Sequence, residues 1–116
     1  MNRIKFFVCP NCGNLLTATG EAEISCCGRK ISPLAPNPVD DMHKFSAEKI
    51  ENDFYIIFPH EMSKEHYISF AAYVAYDRVL FIKLYPEQDS EVRFPKMHGG
   101  KLYFYCNRHG LWAGRL

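Results

Sequence analysis

The chain has 116 residues, enough for one ordinary domain or for one small domain beside a very small one. Hydrophobic residues make up 47% of it and charged residues 23%, a composition typical of folded proteins that excludes an intrinsically disordered chain. Fourteen basic residues against thirteen acidic ones give a net charge of +1, which argues against nucleic acid or an anionic membrane surface as a partner.

The N-terminal sequence MNRIKFFVCP contains too short an apolar run for a signal peptide, and no run of about 18 apolar residues is available to span a bilayer. We therefore expect a cytoplasmic protein with no membrane attachment. Five cysteines in a reducing compartment are better explained as metal ligands or catalytic thiolates than as disulfides, and their odd number argues against complete pairing.

Four of the cysteines lie in the N-terminal segment 1–31, within the sequences CPNCG (Cys9 and Cys12) and CCG (Cys26 and Cys27). This segment has few large apolar residues, so burial alone should not fold it and a metal would supply the missing stabilisation. Four thiolates in tetrahedral geometry suit zinc or iron, which either stabilises the fold or also carries electrons. A redox disulfide of the thioredoxin type is disfavoured because no βαβ pattern surrounds the first pair.

A proline-rich segment follows at residues 32–38, with the sequence SPLAPNP. Three prolines in seven residues disfavour both a helix and a central strand, and they predict a stiff, extended linker. The linker divides the chain into a cysteine-rich domain of residues 1–31 and a larger domain of residues 39–116.

The larger segment is typical of β-structure. Alternation predicts a strand at 67–74 with two fairly apolar faces, and a turn at Asp77-Arg78 leads into a second strand at 79–85. Residues that favour sheets predict further strands at 54–58 and 102–105. Short strands joined by turns, without a convincing helix, predict an antiparallel sandwich or barrel.

Four histidines of this segment lie in marked sequence contexts, although each alone is more often a surface residue than a ligand. They are His43, His60, His66 and His109, the last of which follows Cys106 by three residues. Four imidazoles and one thiolate suit iron as well as zinc or copper, and they leave one octahedral position free. A reactive metal needs that free position, whereas structural zinc normally closes at four ligands. His98, beside two glycines, is expected in an exposed loop and is set aside.

Together these motifs resemble the desulfoferrodoxin type of superoxide reductase. The sequences CPNCGN and CCG are similar to that family's desulforedoxin-like domain, and PHEM, KEHYI and YCNRHGLW are similar to motifs of its catalytic domain. The resemblance covers nearly the whole chain, and CNRHGLW is its most specific element. It implies an antiparallel immunoglobulin-like β-sandwich with a small N-terminal domain stapled by metal.

The resemblance also implies two metal sites and a reaction. The catalytic iron would be bound by His43, His60, His66, His109 and Cys106. The second site, with iron or zinc, would be formed by Cys9, Cys12, Cys26 and Cys27. The catalytic iron would reduce superoxide to hydrogen peroxide, a rubredoxin-like protein would return the electron, and the protein would be a homodimer.

The sequence departs from the family pattern in three respects. The family's Glu-Lys-His reads DMH here, so Asp41 is the expected catalytic carboxylate on a shorter arm, and positive charge would have to come from Lys44 or Lys64. Glu61 replaces the proline of the family's His-Pro-Met, and the segment between the two cysteine pairs is shorter than usual.

Two other classes of protein fit the same residues. A non-enzymatic electron carrier or metal-binding protein would use the cysteine site alone and would contain one metal per chain. A zinc-ribbon module on a β-sandwich, which recognises a protein partner, would contain only zinc and would be colourless. Metal content therefore distinguishes these classes from the reductase.

Overall fold

The computed structural model describes residues 4–97 and 99–116, and all regular structure in these ranges is β. The strands are β1 Lys5–Val8, β2 Leu15–Ala18, β3 Ile24–Cys26, β4 Arg29–Ile31, β5 Asn37–Pro38, β6 Ser46–Ile50, β7 Asp53–Ile57, β8 Ile68–Val74, β9 Val79–Lys83, β10 Glu91–Pro95, β11 Lys101–Cys106 and β12 Gly110–Arg115. Within the described ranges there is no helix with the length and apolarity needed to cross a membrane. The all-β fold predicted from the sequence is confirmed.

Two compact units meet in the chain between Ala35 and Pro36. The first consists of two antiparallel hairpins, β1 with β2 and β3 with β4. Cys27 and Gly28 form the two-residue turn of the second hairpin, with φ angles of 54° and 74°. Both angles are left-handed, as a type I′ turn requires, and glycine adopts such angles without strain. The hairpin tip therefore presents Cys26 and Cys27 side by side.

The second unit contains two sheets. One has five strands in the order β5-β12-β11-β8-β9, and the other has three strands in the order β10-β7-β6. The strand pairs described are antiparallel, apart from the parallel contact between β12 and the short strand β5. Pro38 lies in β5 at the sheet edge, where the missing N–H of proline is tolerated.

The hydrophobic core of this unit lies between its two sheets. Ile56 and Phe94 of the three-stranded sheet join Tyr73, Leu102 and Phe104 of the five-stranded sheet in one cluster, and each is no more than 1% exposed. The sheets therefore pack face to face, and the predicted β-sandwich is confirmed. Every residue of β8 is buried, as its two apolar faces predicted.

Three strand ends bring the histidine-bearing segments together. β8 begins at Ile68, two residues after His66, and this residue pairs with Cys106 at the end of β11. A register shift in the ladder precedes Cys106, as in a β-bulge that re-aims a side chain. β7 ends at Ile57, three residues before His60. The ends of β7 and β11 and the start of β8 thus carry His60, Cys106 and His66.

Candidate metal centres

The four N-terminal cysteines form one cluster within the first unit. The sulfur atoms of Cys9, Cys12, Cys26 and Cys27 all lie within 4.8 Å of one another. The first two sit on a tight loop in which Gly13, with a φ of 74°, donates its N–H to the Cys9 carbonyl oxygen at 2.9 Å. The other two come from the tip of the β3–β4 hairpin. Two tight turns therefore converge to form one four-sulfur set.

The thiols of this cluster influence each other's ionisation. The backbone N–H groups of Cys12 and Asn11 lower the pKa of the Cys9 thiol, because they stabilise its thiolate. Hydrogen bonds to the neighbouring sulfur atoms of Cys12 and Cys9 raise the pKa of Cys26, because they stabilise its protonated thiol. A bound cation would replace that shared proton and hold all four sulfur atoms as thiolates, so the four-sulfur set fits zinc or iron.

A second cluster forms in the β-sandwich unit. One ligand atom from each of His43, His60, His66 and Cys106 lies within 4.8 Å of the others. The ring centroid of His109 is 4.9 Å from that of His43 and 5.0 Å from that of His66. Its Nδ1 atom is 3.5 Å from the Cys106 sulfur. The structure therefore brings together all five residues that the sequence predicted as ligands of the catalytic iron.

Several ring nitrogens of this cluster lack an ordinary partner. Both ring nitrogens of His43 and the Nε2 atoms of His60 and His66 are buried and have no hydrogen-bond partner among the described residues. A buried polar atom without a partner is unfavourable, and native proteins rarely leave one. Burial also lowers the pKa of both His43 and His60, so their rings are neutral and offer a lone pair. A metal ion would supply the missing partner, and the donor set fits iron.

The orientation of three rings follows from their other contacts. The Nδ1 atom of His60 is 2.6 Å from the Glu61 carbonyl oxygen, and the Nδ1 atom of His66 is 3.5 Å from a carboxylate oxygen of Glu61. Both rings therefore keep Nε2 as the atom for a metal. The His43 ring stacks on Trp112 with centroids 4.2 Å apart and planes at 3°.

The loop before His43 is fixed by a carboxylate. Oδ1 of Asp40 accepts hydrogen bonds from the N–H groups of Met42 at 2.9 Å and of His43 at 2.7 Å. The same oxygen lies 3.7 Å from Nδ1 of His43. This arrangement is an Asx-type turn, in which the side chain replaces a backbone acceptor. Asp40 therefore holds the backbone from which the His43 ring projects.

The segments that carry His66 and Cys106 are tied together by hydrogen bonds. The Tyr67 N–H donates to Oδ1 of Asn107 at 2.9 Å, and the Asn107 N–H donates to the Tyr67 carbonyl oxygen at 3.1 Å. The side chains of Asn107 and Arg108 both donate to the Glu65 carbonyl oxygen, at 3.0 Å and 2.7 Å. Four hydrogen bonds thus hold one metal-binding segment against the other.

Other predicted residues lie at the margin of the cluster. Asp41 is exposed, and Asp40 is the carboxylate that approaches His43. Lys64 lies 3.8 Å from Glu87, so part of its positive charge is offset. Met42, where the family has lysine, is 73% exposed. His98 falls outside the described residues.

The sequence did not reveal the roles of Asp40 and Asn107. The only available signals were the Asx-turn propensity of an aspartate three residues before His43 and the position of Asn107 between two predicted ligands. Neither signal indicates which distant backbone group the side chain contacts.

Known proteins are similar to this chain over almost its whole length. No family model matches it. It is 31% identical to the desulfoferrodoxin of Syntrophotalea carbinolica over 96% of this chain and 95% of that protein. It is 27% identical to the desulfoferrodoxin of Clostridium acetobutylicum, with the same two coverages of 96% and 95%.

A solved structure agrees with the fold. The crystal structure of the superoxide reductase from Treponema pallidum matches with a TM-score of 0.83 at 21% identity, over 96% of this chain and 97% of that one. At this identity the match establishes the architecture alone. The sequence relationship, which spans both cysteine- and histidine-bearing units, establishes more: the chain belongs to the desulfoferrodoxin family.

Proposed function

We propose that this protein is a superoxide reductase, which converts superoxide to hydrogen peroxide at iron held by His43, His60, His66, His109 and Cys106. The observation that carries the proposal is the group of buried imidazole nitrogens that find no hydrogen-bond partner in residues 4–97 and 99–116, beside the buried Cys106 thiol. Membership of the desulfoferrodoxin family and the fold shared with a superoxide reductase support it.

The donor set suits one-electron chemistry at the iron. Iron in such a set supplies the electron that superoxide needs, and the conversion consumes superoxide, one electron and two protons for each hydrogen peroxide formed. Cys106 is 0% exposed, so a thiolate bound to iron at this position would be shielded from water and would donate electron density to the metal. Iron held by these five residues would keep a coordination position free for a small anion.

The exposed edge of the histidine cluster and the charged residues near it serve proton delivery and anion capture. The side chain of His66 is 23% exposed and His109 is exposed, so water reaches this edge of the site and supplies the protons. Lys44 and Lys64 are exposed on the segments that carry His43 and His66, and they supply positive charge that attracts an anion. We assign Asp41 the role of a loop carboxylate that competes with anions for the oxidised iron.

The cysteine cluster has a separate role in this proposal. Residues 1–31 form a desulforedoxin-like domain in which Cys9, Cys12, Cys26 and Cys27 hold iron, with zinc as the alternative. Residues 39–116 form the catalytic domain. The donor that restores ferrous iron is a rubredoxin-like protein, the protein is a cytoplasmic homodimer, and the free cysteines suit a reducing compartment.

Anaerobic metal analysis with an optical spectrum tests the proposal. Two irons per chain are expected, together with a thiolate-to-iron absorption that disappears in Cys106→Ala while the cysteine-site spectrum remains. Cys27→Ala is the matched control, because it should alter the cysteine-site spectrum and spare the absorption due to Cys106. Protein that contains only zinc would contradict the proposal and favour the binding module. One iron, unaffected by Cys106→Ala, would favour the electron carrier.

A further inference from the structure

Glu61 contacts two of the clustered histidines at once. Its backbone carbonyl oxygen is 2.6 Å from Nδ1 of His60, and its carboxylate oxygen Oε1 is 3.5 Å from Nδ1 of His66. In both histidines the opposite nitrogen, Nε2, is buried and has no hydrogen-bond partner in the described part of the chain. Glu61 therefore lies on the outer side of both rings, and the nitrogens that fit a metal lie on the inner side.

Ser63 fixes the position of the Glu61 carboxylate. The Ser63 hydroxyl donates a short hydrogen bond to Oε2 of Glu61. The Ser63 hydroxyl oxygen itself accepts the His66 N–H at 3.2 Å, and the Ser63 N–H donates to the His66 carbonyl oxygen at 3.0 Å. The carboxylate, the serine and the backbone of His66 thus form a closed ring of contacts. The carboxylate is held beside the imidazole, although Glu61 itself is 58% exposed.

We propose that Glu61 is a positioning residue that sets the donor strength of two iron ligands. Its carboxylate accepts the Nδ1–H of His66 and its carbonyl oxygen accepts the Nδ1–H of His60, so both rings present Nε2. A carboxylate acceptor makes an imidazole more basic than a neutral acceptor does, and it strengthens the bond to a metal. The extra negative charge also favours ferric over ferrous iron. This inference rests on the proposed iron site.

The proline that the family carries at this position provides a precise variant. Proline has a carbonyl group, so Glu61→Pro retains the acceptor for His60, while it removes the carboxylate beside His66 together with the backbone N–H of residue 61. Glu61→Gln retains an oxygen acceptor without the charge. Ser63→Ala removes the hydroxyl that holds the carboxylate. Glu65→Gln is the matched control, since Glu65 is an exposed carboxylate next to His66 whose backbone oxygen, and not its side chain, contacts Asn107.

The test measures iron affinity and redox potential in the full-length protein. Affinity for Fe(II) is measured anaerobically by competition with a chelator. The midpoint potential is followed through the absorption that depends on Cys106. We expect Glu61→Pro to weaken Fe(II) binding by about 10- to 100-fold and to raise the midpoint potential. Glu61→Gln and Ser63→Ala should give smaller changes in the same direction, and Glu65→Gln should match the wild type.

Two results would overturn the inference alone. One is a Glu61→Pro protein with the wild-type affinity and potential, and the other is an equal shift in Glu65→Gln, which would indicate a general effect of surface charge. A wild-type protein without the Cys106-dependent absorption would overturn both the inference and the proposed function. A Glu61→Pro protein that fails to fold leaves the decision to Glu61→Gln, whose unchanged affinity and potential would contradict the inference.

Discussion

Asn107 and Tyr67 exchange two hydrogen bonds, at 2.9 Å between the Tyr67 N–H and Oδ1 of Asn107 and at 3.1 Å between the Asn107 N–H and the Tyr67 carbonyl oxygen. They are 40 residues apart in the chain, and each is next to a proposed ligand, His66 in one case and Cys106 in the other. The relative position of these two ligands therefore depends on an asparagine that binds no metal itself.

Asn107→Ala removes both side-chain hydrogen bonds, to the Tyr67 N–H and to the Glu65 carbonyl oxygen. We expect the free energy of unfolding to fall by about 1–2 kcal/mol, because each bond is partly exposed and contributes about 0.5–1.5 kcal/mol. Urea unfolding measures this change in stability, and iron content measures how well the displaced ligands still bind the metal. Asn107→Asp keeps the acceptor for the Tyr67 N–H, so its free energy of unfolding should lie between those of the wild type and Asn107→Ala. Wild-type stability and iron content in Asn107→Ala would show that the ligands are held by other contacts.

Trp112 orients His43 through the stacking of their rings. Trp112→Ala should destabilise the protein by about 3 kcal/mol, the lower end of the range for large buried aromatics, because Trp112 is only partly buried. It should also weaken Fe(II) binding, since the His43 ring loses the surface that fixes its plane. Trp112→Phe keeps an aromatic face and should restore most of the affinity. Equal affinities in both variants would rule out the orienting role.

Asp40 and Asp41 should differ sharply although they are neighbours. Asp40→Ala removes the acceptor of two backbone N–H groups. It should lower the free energy of unfolding, measured with urea, by about 1–2 kcal/mol. Asp41→Ala should change stability by less than about 0.5 kcal/mol, as expected for an exposed residue. If Asp41 competes for the oxidised iron, its removal should tighten azide binding. The reverse pattern of stabilities would contradict the assignment of Asp40 to the turn.

Protein stripped of metal by a chelator should lose stability in mild acid. Burial lowers the pKa of His43 and His60 below the ordinary value of 6.5, so the unfolded chain binds more protons than the folded one below that pH. The contribution of these two neutral histidines to the free energy of unfolding is complete above pH 6.5. It decreases as the pH falls below 6.5, by at most about 1.4 kcal/mol per pH unit for each histidine.

The midpoints of urea unfolding between about pH 8 and about pH 5 measure how steeply the stability of the metal-free protein depends on pH. His43→Gln should make this dependence shallower, because one of the two histidines no longer titrates. Stability that is flat or rises on acidification would contradict the burial of neutral imidazoles.

The strands that were predicted from sequence are those with many apolar residues. β8 is found at Ile68–Val74, close to its predicted range, because both of its faces are buried. β9 ends at Lys83, two residues before the predicted end. The Leu84 N–H still donates to Ser69 of the neighbouring strand β8, but the Tyr85 N–H donates to the side chain of Gln88. The exact ends of strands depend on contacts that are distant in sequence.

Strands β6 and β12 lack the sequence pattern that predicts a strand. β6 is exposed at every position except Ile50, so it has no apolar alternation. β12 contains Gly110 and Gly114, residues that ordinarily weaken a strand. At Gly114 a Cβ atom would lie 2.8 Å from the ring of Phe45, so the close approach of that ring requires glycine. A packing requirement of this kind cannot be recognised from the local sequence.

The clustered ligands could be predicted because cysteine and histidine are few in the chain and because their motifs resemble those of the desulfoferrodoxin family. The residues that hold these ligands in place could not be predicted, since Asp40, Ser63 and Asn107 are of residue types that are common on surfaces. Their roles arise from folding, which brings Asn107 beside Tyr67 and the Glu61 carboxylate beside His66.

The most direct test of the proposed activity is the stoichiometry of one turnover. Fully reduced, iron-loaded protein is mixed anaerobically with a limiting amount of superoxide, and hydrogen peroxide and oxygen are both measured. A reductase forms as much peroxide as the superoxide it consumes and releases no oxygen, and Cys106→Ala should lose this reaction while Cys27→Ala retains it. Oxygen release with half as much peroxide, or full activity in Cys106→Ala, would contradict the account.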